Sequence, residues 1–108
     1  SKGGESSVET SSTYQVLKTA WKTSHLVKAA YKDKQRLFSV RQLGWKGQEE
    51  RCLAWQHSGE SDGELPGYRC LVVSLLENVE LGGPIPIEER PTDRPPPVCL
   101  TVKDRKDS

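Results

Sequence analysis

A chain of 108 residues has room for one modest hydrophobic core with polar ends. The formal net charge is +1, and no apolar run approaches the roughly 20 residues of a membrane-spanning helix, so a transmembrane helix is excluded. No cationic segment leads into an apolar one, so nothing reads as a secretory signal. The sequence contains no Met and therefore reads as a piece of a larger protein or a processed product.

Residues 1–12 are small and polar and read as a disordered tail. The globular part is expected over 13–82. Its first segment, from Thr13 to about Lys32, has two readings. As one amphipathic helix it starts at Ser12 as N-cap, with Gln15 completing a capping box. A step of 100° per residue then places Val16, Ala20, Val27, Ala30 and Tyr31 on the inward face. Lys18, Lys22, His25, Lys28 and Lys32 fall opposite, joined by Tyr14 and Trp21. As strands, residues 13–21 and 25–31 would form a hairpin about Lys22-Thr23-Ser24. That turn holds no glycine or Asn-Gly pair, which favours the helix.

Sheet follows. Arg36–Leu43 alternates loosely, Gly44-Trp45-Lys46-Gly47 reads as a turn, and Arg51–His57 places Leu53 and Trp55 on one side. Residues 57–67 have turn chemistry throughout. Tyr68–Leu76 is the most continuous apolar run and reads as the central strand. Residues 83–97 hold six of the seven prolines and form an extended arm. Residues 98–102 read as a returning edge strand and 103–108 as a frayed tail. The expected fold is α+β, one N-terminal helix on a three- to four-stranded antiparallel sheet, with a small mostly-β barrel as the alternative.

The three cysteines, Cys52, Cys70 and Cys99, all lie among apolar neighbours. They read as reduced thiols in the core, which favours an intracellular compartment, cytoplasmic or nuclear, with one bridge and a spare thiol as the alternative. With His57 they make four zinc-competent side chains, but no Cys-x-x-Cys knuckle is present, so neither metal nor cofactor is expected. His57-Ser58 lies in a loop without an oriented base or an oxyanion site. The carboxylate pairs Glu49-Glu50, Glu60/Asp62/Glu64 and Glu88-Glu89 lie in loops or polar stretches with no apolar pocket to separate their pKa values. Catalysis is therefore not expected. Gly44–Gly47 fits the G-x-x-G of KH modules, but Glu50 stands where an apolar helix position is required. The proline arm lacks P-x-x-P.

The charge distribution carries the functional expectation. Residues 13–46 hold eight Lys/Arg against Asp33 alone, while 47–108 hold seven against twelve acids. Five of the seven aromatics share the basic stretch. The expected site for an anionic partner is therefore Lys18, Trp21, Lys22, Lys28, Lys32, Arg36, Arg41, Trp45 and Lys46. The leading reading is a binding module that docks an acidic protein segment. The alternative is a nucleic-acid domain whose lysines meet phosphates while aromatics stack on bases.

Overall fold

The computed structural model describes residues 10–59, 67–86 and 97–106. The expectations for the first nine residues, the acids Glu60, Asp62, Glu64, Glu88 and Glu89, most of the proline arm and the last two residues lie outside these. The architecture is α+β: helix α1 (Ser12–Thr23) packs on a six-stranded antiparallel sheet. The strands are β1 (His25–Tyr31), β2 (Lys34–Lys46), β3 (Glu49–Gly59), β4 (Gly67–Val72), β5 (Leu76–Pro84) and β6 (Val102–Lys103). Their order is β4-β3-β2-β1-β5, with β6 added against β2; the sheet is open, not a barrel, and exceeds the three to four strands expected.

The helix cap lies one residue earlier than expected. Ser11 is the N-cap and its Oγ accepts from the Tyr14 amide at 3.1 Å, satisfying an otherwise orphaned donor. The Ser11 amide and hydroxyl also donate to the Glu50 carboxylate, at 2.8 and 2.6 Å, fastening the helix start to β3. The helix stops at Thr23, not near Lys32. Ser24 adopts φ 59° and ψ 50°, and its N–H donates to Ala20 O.

From His25 the chain is strand, as in the hairpin reading, but the turn lies elsewhere. Lys32 and Asp33 have φ 53° and 66°, and Tyr31 faces Lys34, so two left-handed residues join β1 to β2. β1 is buried at Val27, Ala29, Ala30 and Tyr31, which lie on both faces of the sheet. Such a strand loses its period of two and imitates a helix face.

β2, not Tyr68–Leu76, is central. The apolar run breaks at a 3-10 turn (Val73–Leu75) into β4 and β5, which are the two edges. Gly44 and Trp45 lie within β2, and the turn to β3 is Gly47-Gln48. A Cβ at Gly44 would collide with the Val102 carbonyl oxygen, so glycine admits β6 there.

The main core lies between α1 and the sheet and contains Tyr14, Leu17, Ala20, Trp21, Val27, Phe38, Leu43, Cys52 and Leu71. Tyr14, Leu17, Ala20 and Trp21 recur at helical spacing and define the inward face; Ala20 is inward as expected, whereas Tyr14 and Trp21, expected outward, are buried. On the other face of the sheet, Leu53 and Trp55 are also buried, and the Trp55 ring meets Tyr68 edge-on at 4.9 Å.

Candidate functional site: a cleft under the C-terminal strap

The expected binding residues do not share one face. Trp21 is only 8% exposed in the helix–sheet core. Trp45 stacks on Tyr14, ring centroids 5.6 Å apart, and is half-buried. Lys18 donates to Asp104 Oδ2 at 3.1 Å. Lys22 is exposed on α1, whereas Lys28 is exposed on β1 and alternates with the helix-facing Val27 and Ala29. Lys32 lies in the turn before β2 and Lys46 is the last residue of that strand, roughly 40 Å apart along 13 residues. Such a separation is several screening lengths at physiological salt. The single cationic face failed to form because the helix ended at Thr23, so lysines spaced for one helix were divided between a helix, a strand and a turn.

Arg36 is enclosed, 9% exposed. Its guanidinium lies 5.1 Å from the centroid of the Tyr31 ring and donates to Gln56 Oε1 at 3.1 Å. On β4, burial first and then the charge of Arg36 lower the pKa of Arg69. Arg36 is thus enclosed within the sheet, whereas Arg69 is partly buried on the edge strand.

Arg41 has a different setting. It sits at an irregularity of the β2–β3 ladder, between the pairs Val40↔Ala54 and Gln42↔Leu53. Beside it runs the strap, residues 97–105, held at three places. Cys99 is disulfide-bonded to Cys70 of β4, with Cα atoms 6.1 Å apart. Val102 and Lys103 pair with Trp45 and Gly44, on the part of β2 beyond the reach of β1. The Thr101 amide donates to Trp45 O at 2.7 Å, and the Gly47 amide donates to Thr101 Oγ1 at 3.1 Å.

The third fastening is Asp104. Its Oδ2 accepts from Tyr14 Oη at 2.8 Å as well as from Lys18, and its Oδ1 accepts from the Arg105 amide at 2.7 Å. Its own amide donates to Leu43 O at 2.8 Å, while its carbonyl accepts from Gln42 Nε2 at 2.8 Å. Burial pushes the carboxyl pKa up, but the Tyr14, Lys18 and Arg105 donors outweigh it and hold it below the ordinary Asp value. Burial, and then the hydrogen bond to Asp104, push the Tyr14 pKa up strongly.

Between strap and sheet lies a cleft of about 370 Å³. Leu53 and Tyr68 line it from the sheet, Pro97–Leu100 from the strap, and Arg41 and Lys103 add two cations. Arg41 is the one expected site residue that the fold brings here. Sequence reasoning expected a strand returning at 98–102 and a frayed tail from 103; the strand is Val102–Lys103 and Asp104 beyond it is fastened, while the place of Lys103 and Tyr68 in the cleft was missed. The signal lay in Cys99, three residues before the strand that returns to β2.

The disulfide corrects the expectation of three reduced thiols, and with it the ground for an intracellular compartment. Only Cys52 is free; it is fully buried, and burial raises its pKa strongly. The zinc-competent set does not converge either, since two of its sulfurs are bonded to each other. No helix among the described residues is long and apolar enough to cross a membrane.

Helix and cleft lie on opposite faces of one open sheet, an α+β arrangement with a strapped outer face. No protein-family model matches the sequence, and no curated protein or solved structure matches it either.

Proposed function

We propose that this domain is a non-enzymatic binding module that docks an acidic, partly apolar segment of a protein partner in the strap cleft. The observation that carries the reading is the placement of Arg41 and Lys103 beside an apolar lining of Leu53, Tyr68 and the strap. A guanidinium and an ammonium at the margin attract carboxylates, and the lining accepts the side chains between them. A cleft of this size is at the small end of ligand sites, which suits a few residues of an extended segment. Recognition of nucleic acid is the weaker reading, because Trp21 and Trp45 are engaged on the helix side of the sheet and offer no stacking platform beside the cleft.

The test is fluorescence anisotropy with a short peptide alternating glutamate with leucine, against a lysine–leucine control and an oligothymidylate of similar length. The acidic peptide is expected to bind and to weaken as salt rises. Arg41→Gln and Lys103→Gln should each weaken it about fivefold, the scale of one partly exposed charge-assisted contact of roughly 1 kcal/mol. Binding of the oligonucleotide in preference to the acidic peptide would overturn the reading.

A further inference from the structure

The strap makes one wall of the cleft, and the manner of its attachment indicates how that wall is controlled. We propose that the Cys70–Cys99 bond is a redox latch: oxidised, it holds Pro97–Leu100 against the outer face of the sheet and completes the cleft; reduced by an external dithiol, it releases that wall. The control of binding rests on the docking reading above, whereas the release of the strap does not.

Four observations support the latch. Among the described residues, no backbone hydrogen bond holds Pro97–Leu100; the first fastening after the disulfide is Thr101 on Trp45. The wall therefore depends on the sulfur–sulfur bond more than on the sheet. Downstream, β6 and Asp104 remain attached whether or not the bond is present, since none of their contacts involves sulfur. A released wall stays tethered within a few residues of its place, which makes reclosure local. Both cysteines of the pair are partly exposed, so a dithiol has access to them. Cys52 is enclosed in the helix-side core, while Cys70 pairs with Leu53 on the outer face. The third thiol thus does not exchange with the bond in the native fold, and the state of the latch is set from outside. In the reaction the dithiol gives two electrons and two protons; the S–S bond breaks, thiols form on Cys70 and Cys99, and the dithiol leaves as a cyclic disulfide.

The experiment compares oxidised protein, protein reduced with dithiothreitol, and the Cys70→Ser/Cys99→Ser variant by two readouts. The first is hydroxyl-radical footprinting of Leu53 and Tyr68, with buried Phe38 as the control for an intact fold. The second is affinity for the glutamate–leucine peptide. The latch predicts that reduction raises labelling of Leu53 and Tyr68 at least threefold, leaves Phe38 protected, and weakens peptide binding about tenfold, with the double-serine variant matching the reduced protein. Unchanged labelling on reduction overturns the latch whatever the peptide does. Increased labelling with unchanged affinity also overturns it as a control of binding. Absence of peptide binding in the oxidised state instead overturns the docking reading, and with it the control of binding; increased labelling on reduction then still supports release of the strap.

Discussion

Asp104 shows how one side chain near the end of a short chain fastens several elements. It accepts from the helix through Tyr14 and Lys18, while its backbone bonds to β2 at Leu43 and Gln42. Hydrogen bonds to an ionised group contribute more than neutral ones, about 1.5–3 kcal/mol where desolvated. The side chains of Lys18 and Asp104 are 16% and 15% exposed, so part of that strength survives screening. Asp104→Asn is therefore expected to destabilise the fold by about 1–2 kcal/mol at neutral pH. The sign with pH follows from the lowered folded pKa. The contribution is complete above the ordinary Asp value of about 4 and is lost as pH falls through the lowered folded value. Urea titrations in that acid window should show wild-type stability falling toward the variant, with the gap closing as pH drops.

Among the elements, the β1–β2 hairpin departs furthest from local preference. Its turn places Lys32 and Asp33 at positive φ, a geometry that favours Asn-Gly, and a lysine there is strained. The hairpin forms because β1 is paired on both sides, by β2 and β5, and because Val27, Ala29 and Tyr31 join the helix-side core. Replacing the pair, Lys32→Asn with Asp33→Gly, is expected to stabilise the protein by about 1 kcal/mol, read from the urea midpoint at an unchanged slope. A loss of stability would show that the Lys32 ammonium, 5.6 Å from the centroid of the Tyr31 ring, contributes more than the strain costs.

At the scale of the whole molecule, the two faces of the sheet are stabilised in different ways. The inner face is covered by α1 through contiguous apolar packing. The outer face carries the strap, which is fastened by a covalent bond and polar contacts more than by a continuous core. A bridge with a sequence separation of 29 restricts the unfolded chain by about 3–4 kcal/mol in the chain-entropy account. Reduced protein should accordingly unfold at lower temperature than oxidised protein in paired calorimetric scans. Because β6 and Asp104 persist, its helix and sheet signals before the transition should remain native.

Some of this was legible in the sequence for local reasons. Ser12 before a periodic run announced a helix start to within one residue, and the strand propensity of Arg36–Leu43 and Arg51–His57 announced sheet, because caps and propensities act within a few residues. Long-range contacts decided the rest. The helix end, the centrality of β2, the inward turn of Tyr14 and Trp21 and the pairing of Cys70 with Cys99 all depend on partners far along the chain. Lysine spacing described a surface only for as long as the helix ran. Once tertiary pairing converted residues 25–31 into a strand buried on both faces, those charges separated, and the cleft was assembled instead from Arg41, Tyr68 and Lys103, which no local pattern joins.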